Sequence, residues 1–426
     1  LFRSSQLSAW EPRENYQAVQ QGDGSSWVVS TAPFATTIHW RGDAPNTGQD
    51  DRGWAITYDI PFESLGLDGP PQEGTTWGLS VVVHDRDDEA GTTIPDKIWP
   101  ETLSPQQPET WGQLVFGLPN HTPPSTVSDP ELTVIREKLN GASVPHAAVG
   151  GTTGNLCPGD SYYIWNEWGN DTFGSAEDFN IQNQTDIADW PCYAKYYVTF
   201  PLDALPSGKT VVSATLTLHQ WGNSGGGHWD PARASLIWLS TVDEAWQEQT
   251  LTWNNAPLPR ETIGATRVGL CPEESGSYCG SPGVPHDWDV SQAVTDAHAQ
   301  GQPLRLVLYS SDTAYHSGKY FSSSEAGDWN AEARPTLTVA WGQSYSWADL
   351  DRDCDVDVTD TQAVANRWRC ASDDACYVAS SDVDADGLID IEDISAVASR
   401  WGCECGDECY DAPFVTGLAD PAALDD

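Results

Sequence analysis

A short acidic pattern occurs twice near the end of the 426-residue chain, with starts at Asp349 and Asp382 that lie 33 residues apart. In both copies aspartates occupy loop positions 1, 3, 5, 9 and 12, which is the spacing of an EF-hand-type calcium loop. Ca²⁺ takes about six to eight oxygen ligands, and a tight loop of alternating carboxylates supplies them. The sharp turn at position 6 falls on Gly387 in the second copy and on Cys354 in the first.

The repeat predicts two Ca²⁺ sites, built from loop positions 1, 3, 5, 7, 9 and 12. The first set of candidate ligands is Asp349, Asp351, Asp353, Asp355, Asp357 and Asp360. The second set is Asp382, Asp384, Asp386, Leu388, Asp390 and Asp393, where position 7 binds through its backbone carbonyl. An acidic solvated linker is the alternative interpretation.

A short helix pattern follows each loop, and the two patterns are near copies. Residues 360–368 and 393–401 both carry alanine, valine and tryptophan at helical spacing. The residues before each loop give little signal for an entering helix. A loop–helix unit used twice without entering helices resembles a dockerin, the calcium-folded module that binds cohesin domains.

The dockerin resemblance implies a docking surface at loop positions 10 and 11, which are Val358, Thr359, Ile391 and Glu392. It also implies a cohesin-like partner or a self partner, and a module that becomes ordered when Ca²⁺ binds. Aspartate at position 12, cysteine at position 6 of the first loop and the flanking cysteines depart from the family pattern and leave the partner open.

The chain is strongly acidic, with a formal net charge of −43 and 20 lysine and arginine residues. Such a surface repels nucleic acids and anionic membranes, so we expect neither as a partner. No apolar run reaches the roughly 20 residues that cross a bilayer, which predicts a chain without a membrane span. The sequence has no methionine, so we expect a processed or truncated N-terminus before Leu1.

The ten cysteines cluster in groups. They are Cys157 with Cys192, Cys271 with Cys279, and then Cys354, Cys370, Cys376, Cys403, Cys405 and Cys409 around the acidic repeat. Their even number, together with calcium loops, favours disulfides in an extracellular protein, secreted or at the cell surface. The connectivity stays open, and a zinc site at Cys403, Cys405 and Cys409 is the alternative.

Residues 1–118 alternate in the manner of strands in a half-buried sheet. The phrases at 60–67, 77–79, 84–88, 99–101 and 110–114 resemble, in order, the C-terminal half of a family 9-type carbohydrate-binding module, a DOMON-like β-sandwich. Aromatic faces hold sugar rings in such modules, and Trp27, Trp40 and Trp99 are the candidates here. Asp85 and Asp87 are candidates for a further Ca²⁺ site.

The first strands of that module are missing from the sequence, which would leave a sheet edge open to water. Either upstream residues were removed, or strands from elsewhere complete the sheet. The second option would make the chain a subunit of a homopolymer formed by β-strand addition.

A linker rich in proline, serine and threonine at 119–130 leads to stronger strand signals at 131–342. The phrases at 246–248, 251–257, 288–291, 320–325 and 334–337 resemble, in order, the DNRLRE domain, a family 96-type carbohydrate-binding module. The resemblance implies a non-catalytic β-sandwich on secreted proteins, some of which bind acidic polysaccharides. It also assigns Trp246, Trp253 and Trp288 to the structural framework.

The predicted fold class is mainly β, with two jelly-roll-like β-sandwich domains followed by a small α-helical calcium-binding domain. The predicted ranges are 1–118, the linker 119–130, 131–342, 343–410 and a flexible acidic tail at 411–426. Within 131–342 the sequence predicts one amphipathic helix at Val290–Ala299, N-capped by Asp289 or Ser291.

No spacing of carboxylates, histidines or serines marks a catalytic site, so we do not expect an enzyme. The leading hypothesis is an extracellular, non-catalytic protein that binds polysaccharide or surfaces and docks through its calcium module. One alternative is a structural subunit of a filament or sheath, stabilised by calcium and disulfides. Another is a set of accessory modules of a polysaccharide-degrading enzyme whose catalytic domain lies outside this chain.

Overall fold

The computed structural model describes the chain except for residues 1–3, 11–15, 23–25, 43–50, 85–94, 105–106, 123–126, 151–167, 185–191, 207, 225–230, 273–276, 313–316, 406 and 413–426. Strands make up 36% of the structure and helices 16%, so the predicted mainly β class is confirmed. In the described ranges no helix is long and apolar enough to cross a membrane.

The N-terminal segment contains small antiparallel sheets. The first joins β1 (Ser4–Trp10), β2 (Tyr16–Gly22) and β3 (Trp27–Ser30), and the second pairs β4 (Ala35–Gly42) with β5 (Asp51–Asp59). Two further sheets pair β6 (Thr76–Leu79) with β9 (Gly112–Val115), and β7 (Val81–Val83) with β8 (Lys97–Trp99). The single strand predicted over residues 77–84 is therefore divided at Ser80, and its two halves pair with different partners.

The strands from residue 127 onward are mostly longer and more buried. They are β10 (Val127–Arg136), β11 (His146–Val149), β12 (Asp178–Gln184), β13 (Cys192–Phe200), β14 (Thr210–Asn223), β15 (Ser235–Thr241), β16 (Thr262–Val268), β17 (Val284–Asp289), β18 (Leu304–Ser310), β19 (Lys319–Ser322) and β20 (Thr336–Ser344). Their number agrees with the predicted strand-rich character of this part of the chain.

The predicted helix at Val290–Ala299 is present as α1 (Ser291–Ala299), but its predicted cap is wrong. Val290 is the N-cap residue and offers no side-chain acceptor. Asp289 instead accepts hydrogen bonds on Oδ1 from the backbone N and the hydroxyl of Ser291, at 2.9 and 2.5 Å. The carboxylate therefore closes a local turn before the helix and does not cap its first turn.

The structure divides into two compact units. The larger comprises Leu1–Asn120, Val134–Leu202 and Thr215–Leu337, and the smaller comprises His121–Thr133, Asp203–Ala214 and Thr338–Asp426. In the larger unit the main sheet has the order β14-β19-β12-β13-β18-β15-β16, with β17 beside β14 and β11 beside β13. The predicted domain boundaries stay predictions.

Period-two alternation builds the core of the larger unit. Leu304, Leu306 and Leu308 of β18 are all buried, as their alternation predicts. Burial of a side chain of this size contributes about 1.5–3 kcal/mol. Trp288 is 1% exposed and donates its indole N–H to the Ile237 carbonyl at 3.2 Å, which fits the predicted framework role.

The acidic repeat forms two loop–helix units in the smaller unit of the structure. The helices α2 (Val358–Ala365) and α3 (Ile391–Ala398) start two residues earlier and end three residues earlier than the repeat pattern suggests. They start early because Asp357 and Asp390 act as N-caps in reciprocal capping boxes. A short 3-10 turn at Ala379–Ser381 precedes the second loop, and α4 (Glu408–Asp411) follows the second helix.

The two loop–helix units interlock. The backbone N of Val356, in the first loop, donates to the carbonyl of Cys403, after the second helix, at 3.0 Å. The backbone N of Ile389, in the second loop, donates to the carbonyl of Cys370, after the first helix, also at 3.0 Å. The two bonds are related by the same 33-residue period as the sequence. Each copy therefore completes the loop of the other.

Candidate functional site

In the first acidic loop, positions 1, 3 and 12 converge. One carboxylate oxygen from each of Asp349, Asp351 and Asp360 lies within 4.8 Å of the other two. Asp360 is fully buried and also belongs to a second group of this kind, with Asp355 and Asp357. Asp353, the predicted ligand at position 5, is in neither group.

The second acidic loop repeats this geometry. Asp382, Asp384 and Asp393 each contribute one carboxylate oxygen to a group within 4.8 Å. Asp386 and Asp390, the predicted ligands at positions 5 and 9, lie outside that group. The loops are thus organised around the same three positions.

The predicted position-7 ligands also have equivalent surroundings. Leu388 forms an isolated antiparallel bridge with Ala371, and Asp355 forms one with Glu404. Both bridges join a loop to the segment that follows the helix of the other copy. The backbone at position 7 is therefore held in an extended conformation in both loops.

Backbone N–H groups hold the carboxylates at position 12. Asp360 accepts on Oδ1 from the backbone N of Leu350 at 2.5 Å and of Asp351 at 3.2 Å. Asp393 repeats this with the backbone N of Val383 at 2.5 Å and of Asp384 at 3.3 Å. These bonds fix the orientation of the acidic groups before any ligand is considered.

Two tyrosines hold the carboxylates at position 1. Tyr410 donates its hydroxyl proton to Asp349 Oδ2 at 2.5 Å, and Tyr377 donates to Asp382 Oδ2 at the same distance. The tyrosines are again 33 residues apart. The internal repeat therefore extends beyond the loops and helices to these second contacts.

The convergence of carboxylates has an electrostatic cost. Burial, and then the negative charges of Asp360, Asp353 and Asp349, raise the pKa of Asp351. A divalent cation between such groups would relieve their mutual repulsion. Carboxylate oxygens are hard ligands, which Ca²⁺ prefers, so the donor set fits the predicted ion.

The four predicted docking residues lie in the first turns of the two helices. Val358 and Ile391 are each 57% exposed, and their neighbours Thr359 and Glu392 are also exposed. Exposed aliphatic side chains at two equivalent positions form a matched pair of apolar contacts. Such contacts can be buried by a protein partner.

Four of the candidate cysteine groups form disulfides. The pairs are Cys271–Cys279, Cys354–Cys405, Cys370–Cys376 and Cys403–Cys409. Their sulfurs are bonded to one another, which leaves no thiolate for the zinc alternative at Cys403, Cys405 and Cys409. Cys157 and the side chain of Cys192 lie outside the described residues.

The candidate sites of the N-terminal segment are only partly described. Trp99 is 43% exposed, and its ring packs directly over Gly112, where a side chain would collide with it. Trp27 and Trp40 belong to β3 and β4, but their side chains are outside the described part of the molecule. Asp85 and Asp87 lie in an undescribed segment.

An aromatic surface that the sequence did not single out crosses the main sheet of the larger unit. Trp238 of β15 is the register partner of Tyr309 of β18, with ring centres 5.9 Å apart at 69°. Lys195 of β13 places Nζ 4.8 Å from the ring centre of Trp253 and 6.0 Å from that of Tyr309. We refer to Lys195, Trp238, Trp253 and Tyr309 as the aromatic face.

Strand alternation determines where the aromatic face lies. Ile237 and Leu239 are buried in the core, so Trp238 between them points to the opposite side of the sheet and is 37% exposed. Tyr309 likewise lies between the buried Leu308 and Ser310. The face is consequently carried by regular strands, which hold it more rigidly than loops would.

A second cluster covers part of the same side of the sheet. Val307 of β18 packs there with Tyr197, Val242 and Leu251, and Trp246 and Trp253 contact this cluster. Tyr197 donates its hydroxyl proton to the Pro257 carbonyl at 2.8 Å, which ties the loop to the sheet. The predicted framework role of Trp246 and Trp253 thus agrees with their packing, although Trp253 also borders the aromatic face.

Positive charge accompanies the aromatic rings. Burial lowers the pKa of Lys195 from its ordinary value. Arg267 is exposed on β16 and is the register partner of Leu236, two residues from Trp238. In a chain of net charge −43, this side of the sheet offers rings for stacking and cations for polar groups.

Residues 153–340 match the family description "Carbohydrate-binding module family 96". The match includes the whole aromatic face and supports the carbohydrate-binding module predicted for the middle of the chain. The dockerin and family 9 resemblances stay predictions. The chain matches no curated protein. The middle of the chain is therefore similar to the carbohydrate-binding modules of family 96.

Proposed function

We propose that this chain is an extracellular, non-catalytic protein that binds polysaccharide through the aromatic face of its middle region. The observation that carries the proposal is the position of Trp238 and Tyr309, adjacent and partly exposed, inside the segment that matches a carbohydrate-binding family. The disulfides are consistent with an oxidising, extracellular setting.

The chemistry of the face suits a sugar ring. The apolar side of a pyranose stacks on an aromatic ring, while hydroxyl or carboxylate groups at the ring edge accept hydrogen bonds from a cation. Trp238 and Tyr309 supply the rings, and Lys195 supplies the donor. The long-range charge of the chain disfavours an acidic glycan, whereas the local charge of Lys195 favours one.

Trp238→Ala tests this proposal. We expect the wild-type chain to be retarded in affinity gels containing alginate, polygalacturonate, xylan or glucomannan, and the variant to lose that retardation in the gel that retards the wild type. Loss of a central stacking ring costs about 2 kcal/mol or more, or roughly 30-fold in affinity.

Trp329→Ala is the matched control. Trp329 is 81% exposed in the same matched segment and lies in the 3-10 helix Asp328–Ala333, away from the register row of the aromatic face. Retardation should be unchanged in this variant. If Trp329→Ala abolished retardation and Trp238→Ala did not, the binding face would be assigned wrongly.

We further propose that the acidic repeat is a calcium-folded docking module. Two equivalent carboxylate groups, at Asp349/Asp351/Asp360 and Asp382/Asp384/Asp393, support the metal part of this proposal. The equivalent exposure of Val358 and Ile391 supports the docking part. A cohesin-like domain or a second copy of this chain is the proposed partner.

Calcium titration tests the metal part. We expect two equivalents of Ca²⁺ to bind the chelator-treated chain, with loss of the NMR signals of α2 and α3 when the ion is removed. The double variant Asp360→Asn/Asp393→Asn should bind Ca²⁺ at least about 10-fold more weakly. Equal calcium binding by the variant would refute the assignment.

Electron microscopy separates docking from the filament hypothesis. Regular polymers of the purified chain that fall apart on chelation would support a structural subunit. Monomers with and without Ca²⁺ would remove the filament hypothesis and leave a separate docking partner. The enzyme-accessory hypothesis would be supported by a precursor that carries a hydrolase or lyase domain.

A further inference from the structure

A histidine and two glutamates meet in the larger unit, away from the aspartate loops. His146 of β11, Glu248 in the turn at 248–250 and Glu325 in the turn after β19 each bring one potential ligand atom within 4.8 Å of the other two. More than 70 residues separate each of these positions from the next along the chain. The fold, and not a local motif, therefore assembles the cluster.

The histidine is buried without the partners that a buried imidazole normally has. His146 is 1% exposed, and neither Nδ1 nor Nε2 has a hydrogen-bond partner in the described part of the chain. Nε2 lies 3.7 Å from Glu248 Oε1, beyond hydrogen-bonding distance. A buried polar atom without a partner is costly, and it points to a group that would satisfy it.

The protonation state of His146 suits metal binding. Burial lowers the pKa of His146 to about 4, so the ring is neutral at pH 7 and keeps a free lone pair. Burial, followed by the nearby charge of Glu325, raises the pKa of Glu248. A cation between the two glutamates would offset that repulsion.

The scaffold fixes two of the three side chains. Glu248 accepts a hydrogen bond on Oε1 from the backbone N of His146 at 3.1 Å, which couples it to β11. Gly174 leaves room for Glu248, because an added Cβ would collide with the Glu248 carbonyl and come within 2.7 Å of its Cγ. Glu325 is exposed and free to rotate toward the other two.

We propose that His146, Glu248 and Glu325 bind a divalent transition-metal ion of the Zn²⁺ class. An imidazole nitrogen with two carboxylates is a ligand set of such ions, whereas Ca²⁺ takes oxygen ligands alone. Three protein ligands leave a coordination position open to water on the exposed Glu325 side. The ion would join β11 to two turns that are remote in sequence.

This site would act as a structural crosslink. The turn at 248–250 belongs to the loop that carries Trp246 and Trp253 over the second cluster. Binding of the metal would thus stabilise the loop that borders the aromatic face. Metal that binds only the native state raises its free energy of unfolding.

Zinc binding to the full, untagged chain tests the proposal. CaCl₂ is kept in excess so that the aspartate loops do not compete for the metal. We expect one equivalent of Zn²⁺ in the wild type by mass spectrometry of the metal content, and a rise in melting temperature on zinc addition. Glu248→Gln keeps an oxygen to accept the His146 N–H, and Glu325→Gln changes an exposed residue.

Both variants should bind Zn²⁺ at least about 10-fold more weakly and lose the zinc-dependent rise in melting temperature. Glu261→Gln, an exposed glutamate in the same matched segment, is the control and should behave as the wild type. Unchanged zinc affinity in a folded Glu325→Gln variant would overturn the proposal. A wild type that binds no zinc, or that releases it to Ca²⁺ in competition, would overturn it as well.

Discussion

Lys319 is a cation buried without a carboxylate beside it. It is 0% exposed, and its ammonium group donates to the carbonyls of Arg233, Ser317 and Gly318 at 2.5, 2.7 and 3.4 Å. Burial lowers its pKa from 10.5 to about 8. The folded state therefore releases this proton at a lower pH than the unfolded state does.

This difference predicts a pH dependence of stability. Between about pH 8 and 10.5 the unfolded chain binds more protons at this position, so raising the pH favours the folded state. Relative to Lys319→Met, the wild type should gain free energy of unfolding across that window. The full gain is about 3 kcal/mol, which urea unfolding at a series of pH values would measure.

The variant serves as its own control in this experiment, because it shares every other titrating group with the wild type. A difference between the two free energies that stays flat from pH 8 to 10.5 would contradict the lowered pKa. A difference that falls with pH would reverse its sign.

Single residues also show what sequence patterns can and cannot specify. Trp288 was assigned to the framework from its place in a family phrase, and it is buried. Trp238 belongs to no such phrase, and its orientation depends on which neighbours enter the core. His146 lies more than 100 residues from Glu248, so no local spacing could have joined them.

At the scale of elements, the repeat was the most predictable part of the chain. A calcium loop places its ligands by local spacing, and the loops, the helices and the convergence of positions 1, 3 and 12 can be read from one segment. The interlocking of the two copies could not be predicted in this way. It depends on pairing between a loop and a segment about 50 residues away, as in the Cys354–Cys405 disulfide, whose separation is 51 residues.

The Cys354–Cys405 disulfide has an equivalent position in the other half of the repeat. Gly387 and Ser372 lie there, 33 residues after Cys354 and before Cys405. A Cβ built on Gly387 would lie 3.8 Å from Cβ of Ser372, within the range of about 3.5–4.5 Å found in disulfides. Gly387 has a φ of 88°, and Cys354 already adopts 77°.

We therefore expect Ser372→Cys/Gly387→Cys to form a second crosslink. Closing a loop of this length stabilises by about 3 kcal/mol, and a non-glycine residue at positive φ costs about 1–2 kcal/mol. The net gain should be about 1–2 kcal/mol in urea unfolding with Ca²⁺ present, and non-reducing peptide mass spectrometry would identify the bond.

Gly387→Ser alone reports the backbone cost and should destabilise the module. If the double variant kept both thiols free under oxidising conditions, the two halves of the repeat would not be equivalent as described. If it formed the bond and still lost stability, strain at position 387 would outweigh the crosslink.

At the scale of the molecule, charge is the dominant feature. A net charge of −43 destabilises the compact state through self-repulsion, and salt screens that repulsion. With Ca²⁺ saturating, the melting temperature should rise by about 3 °C or more between 10 mM and 500 mM NaCl. NaCl is used and not sulfate, because sulfate stabilises proteins by exclusion from their surface.

Scanning calorimetry would measure this effect, with sucrose-containing buffer at low salt as the control for non-electrostatic stabilisation. A melting temperature that falls with NaCl would mean that favourable ion pairs outweigh the repulsion among the acidic residues.

The interlocking of the acidic repeat also bears on how such a chain could have arisen. A single loop–helix copy has no segment of its own to complete its loop, since Val356 pairs with the backbone near Cys403 and Ile389 with that near Cys370. A half-length ancestor could have satisfied these bonds only by associating with a second molecule of itself. The duplicated sequence thus has the geometry of a two-fold dimer whose subunits were fused into one polypeptide.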